Sequence, residues 1–392
     1  MSTDAPVAAA ELAGPETPAE EERRTSYLEL FFDLVFVFAI TQVTALILGD
    51  PSAGGFLRAA LVLGLVYWAW SGYAWMTNAI DIGSAGVRLA VVAATAGSLF
   101  VALAVPHAYE DQALWFAVPY LVVRVVHVLL YGYGLRADPA HQAALRKLAP
   151  WFLVAPAIVL LGAFLDGDAR TAVWGLSLAI DVGGALAVGT AGFRVSPSHF
   201  AERYGLFVII ALGESIVAVG VGAAESERDV LFATAVAVGF AGVAGLWWSY
   251  FDIPARGAER TLTATPAERR GPFARDVFTI CHYPFVLGVI LYAVAGEKML
   301  EHPDEPLSTA GRWALGLGIA ATLAAMVLAR FRAVRAVAWE RVAGIALALV
   351  AVVALRDLDA VWLVLAVIGC LLAVLAVEDV RLREFRSRLR AV

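Results

Sequence analysis

Glu29 and Asp33 stand four residues apart in SYLELFFDLVFVFAITQVTAL (26–46), one helical turn from each other in an otherwise apolar run. Carboxylates so placed can bind a proton or a cation. In ALWFAVPYLVVRVVHVLLYGYG (113–134), Arg124 and His127 can neutralise a carboxylate or hold an anionic solute. Asp181 and Glu214 interrupt two further apolar runs, and His282 in CHYPF (281–285) can carry protons because imidazole titrates near neutral pH. Gln42, Asn78, Asp81 and Asp252 are the remaining polar groups placed to line a pathway. A charged side chain at the centre of a membrane helix costs about 2.5–3.5 kcal/mol on insertion scales, so each of these groups demands a partner or a purpose. Arg124 needs an acidic neighbour, for which Asp181 and Glu214 are the candidates. A purely structural alternative stays open at each position. Arg124 can sit in a buried ion pair that fixes helix packing, and His282 can make a hydrogen bond across a helix interface. Trp68, Trp70 and Trp75 can form an interfacial belt, with Asn78 and Asp81 beyond it at the surface or at a cavity entrance.

The elements that must hold these groups are membrane helices. Of 392 residues 61% are hydrophobic and 16% charged, with a mean hydropathy of +0.77, beyond the range of a soluble domain. A net charge of -6 argues against a nucleic-acid partner. Cys281 and Cys370, both in apolar runs, suggest no disulfide framework, metal site or cofactor. Because about 20 apolar residues cross the hydrocarbon core as a helix, the polar breaks divide the chain into roughly twelve spans. They run over 28–49, 56–77, 87–107, 113–134, 149–165, 172–190, 204–222, 230–252, 274–296, 310–330, 337–354 and 360–377, the fifth being short. The expected fold is therefore an all-α polytopic bundle over 26–380. It lies between a disordered cytoplasmic tail at 1–25 and a basic cytoplasmic tail at 381–392.

Alternate loops are basic and acidic. Arg136, Arg146 and Lys147, then Arg194 and Arg203, then Arg256, Arg260, Arg269 and Arg270 mark one side, and Glu110, Asp111, Asp166, Asp168, Asp304 and Glu305 the other. The excess of Lys and Arg in cytoplasmic loops puts both termini inside. At a rise of about 1.5 Å per residue, Asp33 lies roughly 8 Å into its helix and Glu214 near the midplane. Glu29, Asp33, Val37, Thr41 and Thr44 share one face. Glu29 is expected at the cytoplasmic interface, favoured there by the helix dipole. The seventh span, ERYGLFVIIALGESIVAVG, matches the first in register and polarity, so two parallel six-helix halves, 26–195 and 200–380, would fit. No Gly-rich phosphate loop, HExxH or Ser-His-Asp arrangement occurs, and Gly213-Glu214-Ser215 has the wrong order for a nucleophile elbow, so no enzyme is expected.

LELFFDLVFVFAITQV (28–43), WAWSGYAWMTNAID (68–81), ERYGLFVIIALGESIVAV (202–219), LWWSYFD (246–252) and HYPFVLGVILYAVAGE (282–297) together resemble the bacterial low temperature requirement protein A (LtrA) family. The resemblance implies a polytopic inner-membrane protein and leaves its molecular activity open. It marks Glu29, Phe32, Asp33, Glu202, Gly213, Glu214, Trp248, Asp252 and His282. Pro284, where an aliphatic residue is expected, departs from the pattern and puts the straightness of the ninth helix in doubt. FFDLVF (31–36) is also similar to the Phe-Ser-Asp-Ala-Val helix of two-repeat endolysosomal potassium channels, without the serine.

These residues lead us to expect a secondary transporter or permease whose cavity near the midplane joins Asp33, Glu214, Arg124 and His282. The alternatives are a cation channel lined by the first and seventh helices, and a membrane scaffold or sensor whose charges are structural. Its partners would be the lipid bilayer and a small solute or ion, with a homo-oligomer allowed. The topology has a direct test. A green fluorescent protein fused after Val392 should fluoresce and alkaline phosphatase fused after Asp304 should be active in the host bacterium; the opposite result would invert the orientation.

Overall fold

The computed structural model describes residues 24–190, 193–222 and 228–381. All but two residues of the tail expected over 1–25, and all but the first of that expected over 381–392, lie outside the described residues. Within them every regular element is a helix, and the one β contact is an isolated bridge between Pro306 and Asp359. The order is α1 (Tyr27–Gly49), α2 (Ala53–Ala79), α3 (Ala85–Ala104), α4 (Ala113–Gly134), α5 (Pro139–Gly162), α6 (Gly167–Val188), α7 (Pro197–Gly222), α8 (Val230–Phe251), α9 (Pro254–Ala264), α10 (Ala267–Ala274), α11 (Cys281–Glu301), α12 (Thr309–Val334), α13 (Trp339–Ala354) and α14 (Ala360–Arg381). Counting α8 with α9 and α10 with α11 as continuous, eleven of these are long and apolar enough to cross a membrane. The protein is a multi-pass membrane protein. The 16 residues of α13 rise about 24 Å, short of a hydrocarbon core of about 30 Å.

Lipid offers no hydrogen bonds to helix ends, so the chain supplies its own. Ser26, Ser52, Ser84, Asp138, Asp229 and Ser308 each accept a backbone N–H at the start of a helix. Asp138 explains one departure from the expected spans. Its carboxylate accepts from Ala140 and His141 and starts α5 ten residues before 149, so the fifth helix is 24 residues long rather than short. The backbone and imidazole of His141, then the Ala140 N–H, hold the Asp138 carboxyl below the usual carboxylate range. Likewise α7 begins at Pro197 rather than 204, which brings His199 and Arg203 into the helix. Between α8 and α11, where a loop is expected, lie the two short helices α9 and α10.

The helices pack in the same order twice. In α1–α6, α1 lies on α2 and α3, α3 on α4, α4 on α5, α5 on α6, and α6 returns to α2; in the rest, α7 lies on α8 and α11, α11 on α12, α12 on α13, α13 on α14, and α14 returns to α8. Contacts of α1 and α2 with α7 and α11 join the two sets. The chain reaches α11 through a π-helical turn, Arg275–Ile280, where the Cys281 N–H bonds the Asp276 carbonyl five residues back. Pro284, one turn on, lacks the N–H that an α-helix would return to Ile280. The ninth span is thus not a uniform α-helix, as its proline suggests.

Helices α11 and α12 come close together at two glycines. A Cβ on Gly288 would lie 2.5 Å from the Gly318 carbonyl oxygen, and one on Gly318 would lie 2.8 Å from that of Gly288. Backbones meet this closely only where side chains are absent. Gly318→Ala should therefore lower the thermal midpoint of the detergent-solubilised protein by the equivalent of about 1–3 kcal/mol. Gly296→Ala, where an added Cβ has nothing within 4 Å, should not lower it.

Candidate functional site

The buried charges fall into separate groups. The first joins α1 to α7. Ser26 caps α1, its N–H and hydroxyl both donating to Glu29 Oε2 at 2.9 Å while Glu29 N–H donates back to Ser26 Oγ. Glu29 is nevertheless buried, 2% exposed, and not at the open interface expected for it. His199 Nε2 lies 3.1 Å from Glu29 Oε1 and 3.3 Å from Oε2. Asn78 decides which nitrogen of that ring carries the proton. Its Oδ1 accepts from Ser196 N–H (2.9 Å) and its Nδ2 donates to the Ser196 carbonyl (3.1 Å), which turns Nδ2 toward His199 Nδ1 at 2.9 Å. Nδ1 must then accept, so His199 is assigned as neutral imidazole donating from Nε2 to Glu29.

One turn along both helices, Arg203 Nη1 and Nη2 reach Asp33 Oδ2 and Oδ1 at 2.8 and 3.0 Å, and Trp70 Nε1 donates to Oδ1 at 2.8 Å. Arg203 is fully buried and its Nε lies 4.0 Å from Glu29 Oε1. Phe36 and Phe207 follow, with ring centroids 6.5 Å apart, and then Thr41 Oγ1 donates to Glu214 Oε2 at 2.5 Å. Successive contacts of α1 with α7 (29 with 199, 33 with 203, 36 with 207, 41 with 214) ascend in both helices, which therefore run parallel. Glu214 is 2% exposed and, among the described residues, has no basic group within 4 Å. It does not pair with Arg124.

Arg124 belongs to a second group. Its Nη2 bonds both oxygens of Asp181, at 2.9 and 2.7 Å, so the sixth span supplies the acidic neighbour. Both residues, and His127 beside them, are buried, and among the described residues Arg124 Nε and Nη1 have no hydrogen-bond partner. A cavity with room for water centres of about 60 Å³ lies beside them, between α2, α4, α5 and α6. Ser71, Trp75 and Thr279 also line it. These residues lead through Tyr204 to the first group: the Tyr204 hydroxyl shares hydrogen bonds with Ser71 Oγ at 2.8 Å and Thr279 Oγ1 at 2.7 Å, and Trp75 Nε1 donates to Thr279 Oγ1 at 2.9 Å.

The expected single cavity joining Asp33, Glu214, Arg124 and His282 is therefore not what forms. His282 sits apart, between α8 and the π turn. Its Nδ1 donates to the Val277 carbonyl at 3.1 Å, a carbonyl the wide turn presents, and its Nε2 accepts from the Tyr250 hydroxyl at 2.7 Å. Both nitrogens are occupied, as a histidine bridging a helix interface requires. Gln42 is half-buried on α1, and among the described residues it has no part in these groups. Asp81 is exposed and accepts from Gly83 N–H. Asp252 closes α8 beside a groove lined by Glu202, Trp247 and Trp248.

The residues that spacing alone missed are His199, which lies before the expected span 204–222, and Arg203, counted there as a basic marker of the cytoplasmic side. A signal for them exists: His199 and Arg203 are four residues apart, as are Glu29 and Asp33, so two parallel helices bring each base opposite an acid. A third buried pair lies in the other set of helices, where Arg341 Nε and Nη2 hold Glu378 at 2.6 and 2.8 Å and Nη2 also reaches the Ser249 carbonyl. Among the described residues the grouping of metal-ligating type is exposed His107, Glu110 and Asp111 at the α3–α4 turn, with His107 Nδ1 already 2.8 Å from Glu110 Oε2.

The family model described as bacterial low temperature requirement A protein (LtrA) matches residues 24–377. The chain is similar to an uncharacterized protein of Rhizobium meliloti (strain 1021), 29% identical over 294 residues that span 72% of this chain and 71% of the relative. No solved structure matches. The ion pair at the head of α1 has its own test. Removing one partner of a buried pair strands the other charge, so Asp33→Asn should destabilise the detergent-solubilised protein by about 3–5 kcal/mol. Asp33→Leu with Arg203→Met should cost less than either change alone; losses that simply add in thermal unfolding would show no coupling.

Proposed function

We propose, from the premise that the chain belongs to the bacterial low temperature requirement A family, that it is a secondary transporter of the bacterial inner membrane, coupled to a proton or a cation that binds at Glu214. The observation that carries this reading is Glu214 itself. It is buried in α7 about 26 Å from that helix's start, by a rise of about 1.5 Å per residue. It is held across to α1 by the Thr41 hydroxyl, with no counter-ion among the described residues within 4 Å. An uncompensated charge there is costly, and a scaffold would gain nothing from it. A bound proton or cation removes the cost, and its release restores it.

The repeated packing order supports two halves, α1–α6 and α7–α14, and the parallel run of α1 and α7 supports halves of the same orientation. The contacts of Glu29 with His199, Asp33 with Arg203 and Thr41 with Glu214 lie between these halves, where a rocking motion would act. A channel with its pore between α1 and α7 fits less well, because Phe36, Ile40 and Phe207 are buried along that contact.

The test uses inverted membrane vesicles bearing the full chain, incubated with a defined mixture of amino acids, organic acids, sugars and nucleosides under an imposed proton gradient. Mass spectrometry of the contents should show one solute class accumulating, lost with a protonophore and in Glu214→Gln at equal protein abundance. Unchanged accumulation in Glu214→Gln would remove the coupling site, and contents identical to those of vesicles lacking the protein would remove the transporter.

A further inference from the structure

We propose that the cavity between α2, α4, α5 and α6 binds a small organic anion, a carboxylate or sulfonate head on an apolar body. As a binding site it stands on the cavity alone; that its ligand is the transported solute rests on the transport reading above. The Asp181 carboxylate takes only Nη2 of Arg124 and fixes the guanidinium. Among the described residues the buried N–H groups on Nε and Nη1 have no hydrogen-bond partner, nor do the Tyr131 hydroxyl and Thr190 Oγ1. Arg124, His127 and Tyr131 are 0%, 1% and 2% exposed, so bulk water does not satisfy them. All these residues line the same cavity.

Arginine has donors and no acceptor, so what completes this site must bring acceptor oxygens. Arg275 lines the cavity as well, although its Nε and Nη2 are taken by Asp276 at 2.9 and 2.7 Å, and among the cavity's described lining residues there is no carboxylate. That choice of charge favours an anion over a cation. The space at the head of the site is kept open by Gly72: a Cβ there would stand 3.0 Å from His127 Cε1, 3.2 Å from Arg124 Nη1 and 3.3 Å from His127 Nε2. The rest of the wall is apolar or aromatic, with Trp68, Trp75, Leu148, Phe152 and Phe193. Buried polar groups that are left unmade cost about 1–3 kcal/mol each, and several of them converge here. Room for water centres of about 60 Å³ holds roughly four to six waters, or an oxyanion head with a few carbons.

Benzoate is the probe, with benzenesulfonate as a second anion and benzyl alcohol as the uncharged control. Binding to the purified full-length protein in detergent is followed by tryptophan fluorescence, to which Trp68 and Trp75 report directly, and by thermal shift. Both anions should bind saturably and benzyl alcohol at least about tenfold more weakly. Gly72→Ala should abolish benzoate binding by filling the head of the site. Should that variant fail to fold, Tyr131→Phe, which deletes one oxygen and no volume, should weaken benzoate several-fold while leaving the unliganded unfolding midpoint in place. Equal binding of benzyl alcohol would make this an apolar cavity; no saturable response at millimolar anion would leave it water-filled; unchanged affinity in the variants would place the anion elsewhere. Each of these overturns the proposal. Glu214-dependent uptake in vesicles without benzoate binding would sink this site and spare the transporter, and benzoate binding without any uptake would do the reverse.

Discussion

The pairing of Asp33 with Arg203 is the constraint on which the arrangement of the bundle turns. It lies about one and a half turns into both α1 and α7, out of reach of bulk water, where neither charge could stay without the other. Meeting it aligns the two helices side by side and sets their register, because the same shift that brings 203 to 33 brings 199 to 29 and leaves 207 one residue from facing 36. Trp70 from α2 completes the coordination of Asp33, so the second helix is placed by the same pair. From there Tyr204, next in sequence to Arg203, reaches Ser71 and Thr279 and fixes the π turn that leads into α11. The span Ala267–Glu301, which ends in α11, is the most enclosed of those described, and α11 packs on helices from both sets.

The same economy of hydrogen bonds governs the break before α11. A π turn and a proline leave carbonyls without their regular partners, which in hydrocarbon must be met by protein. Tyr67 donates to the carbonyl of Thr279 at 2.7 Å and lies 3.3 Å from that of Phe278, and His282 takes Val277. The turn is therefore supported by side chains from α2 and from its own downstream helix. Both nitrogens of His282 are occupied, Nδ1 on the backbone of the wide turn and Nε2 on the Tyr250 hydroxyl of α8. The irregular backbone in turn lets Thr279 and Arg275 face the cavity beside Arg124.

Much of this is legible in the sequence, and the rest is hidden for definite reasons. The spans are legible because lipid demands long apolar runs, and the need of Arg124 for an acid is legible because a central arginine cannot snorkel to either surface. Which acid answers it is a tertiary fact: Asp181 and Glu214 are equally central along their helices, and only packing brings the first to Arg124. Arg203 hides because it sits at a polar boundary where a basic residue also serves as a topological marker, and positive-inside counting uses it before its burial can be suspected. The start of α5 hides for a related reason, since residues 139–148 are too polar to read as membrane helix until Asp138 is seen to cap them. Glu29 is half legible: its capping role follows from Ser26 three residues before, but its burial depends on His199, far away in sequence.

Arg124 with Asp181 lies wholly within α1–α6, and Arg341 with Glu378 wholly within α7–α14. Each ties two helices of its own set, Arg124 through the single nitrogen Nη2 to both oxygens of Asp181 and Arg341 through the bidentate pair Nε and Nη2 to Glu378. The contacts between the sets are of another kind. Asp33 with Arg203 is bidentate, but Glu29 meets a neutral imidazole and Glu214 a single hydroxyl, so the strength of the seam falls from the α1 end toward the middle of the bundle. If the two sets move against each other, the pairs inside each set keep it rigid. The weaker Thr41–Glu214 contact then opens while Asp33–Arg203 acts as the pivot. A seam graded in this way has a reason to retain charge where hydrophobic packing would give equal or greater stability, because only groups that can exchange partners allow the interface to hold in more than one arrangement.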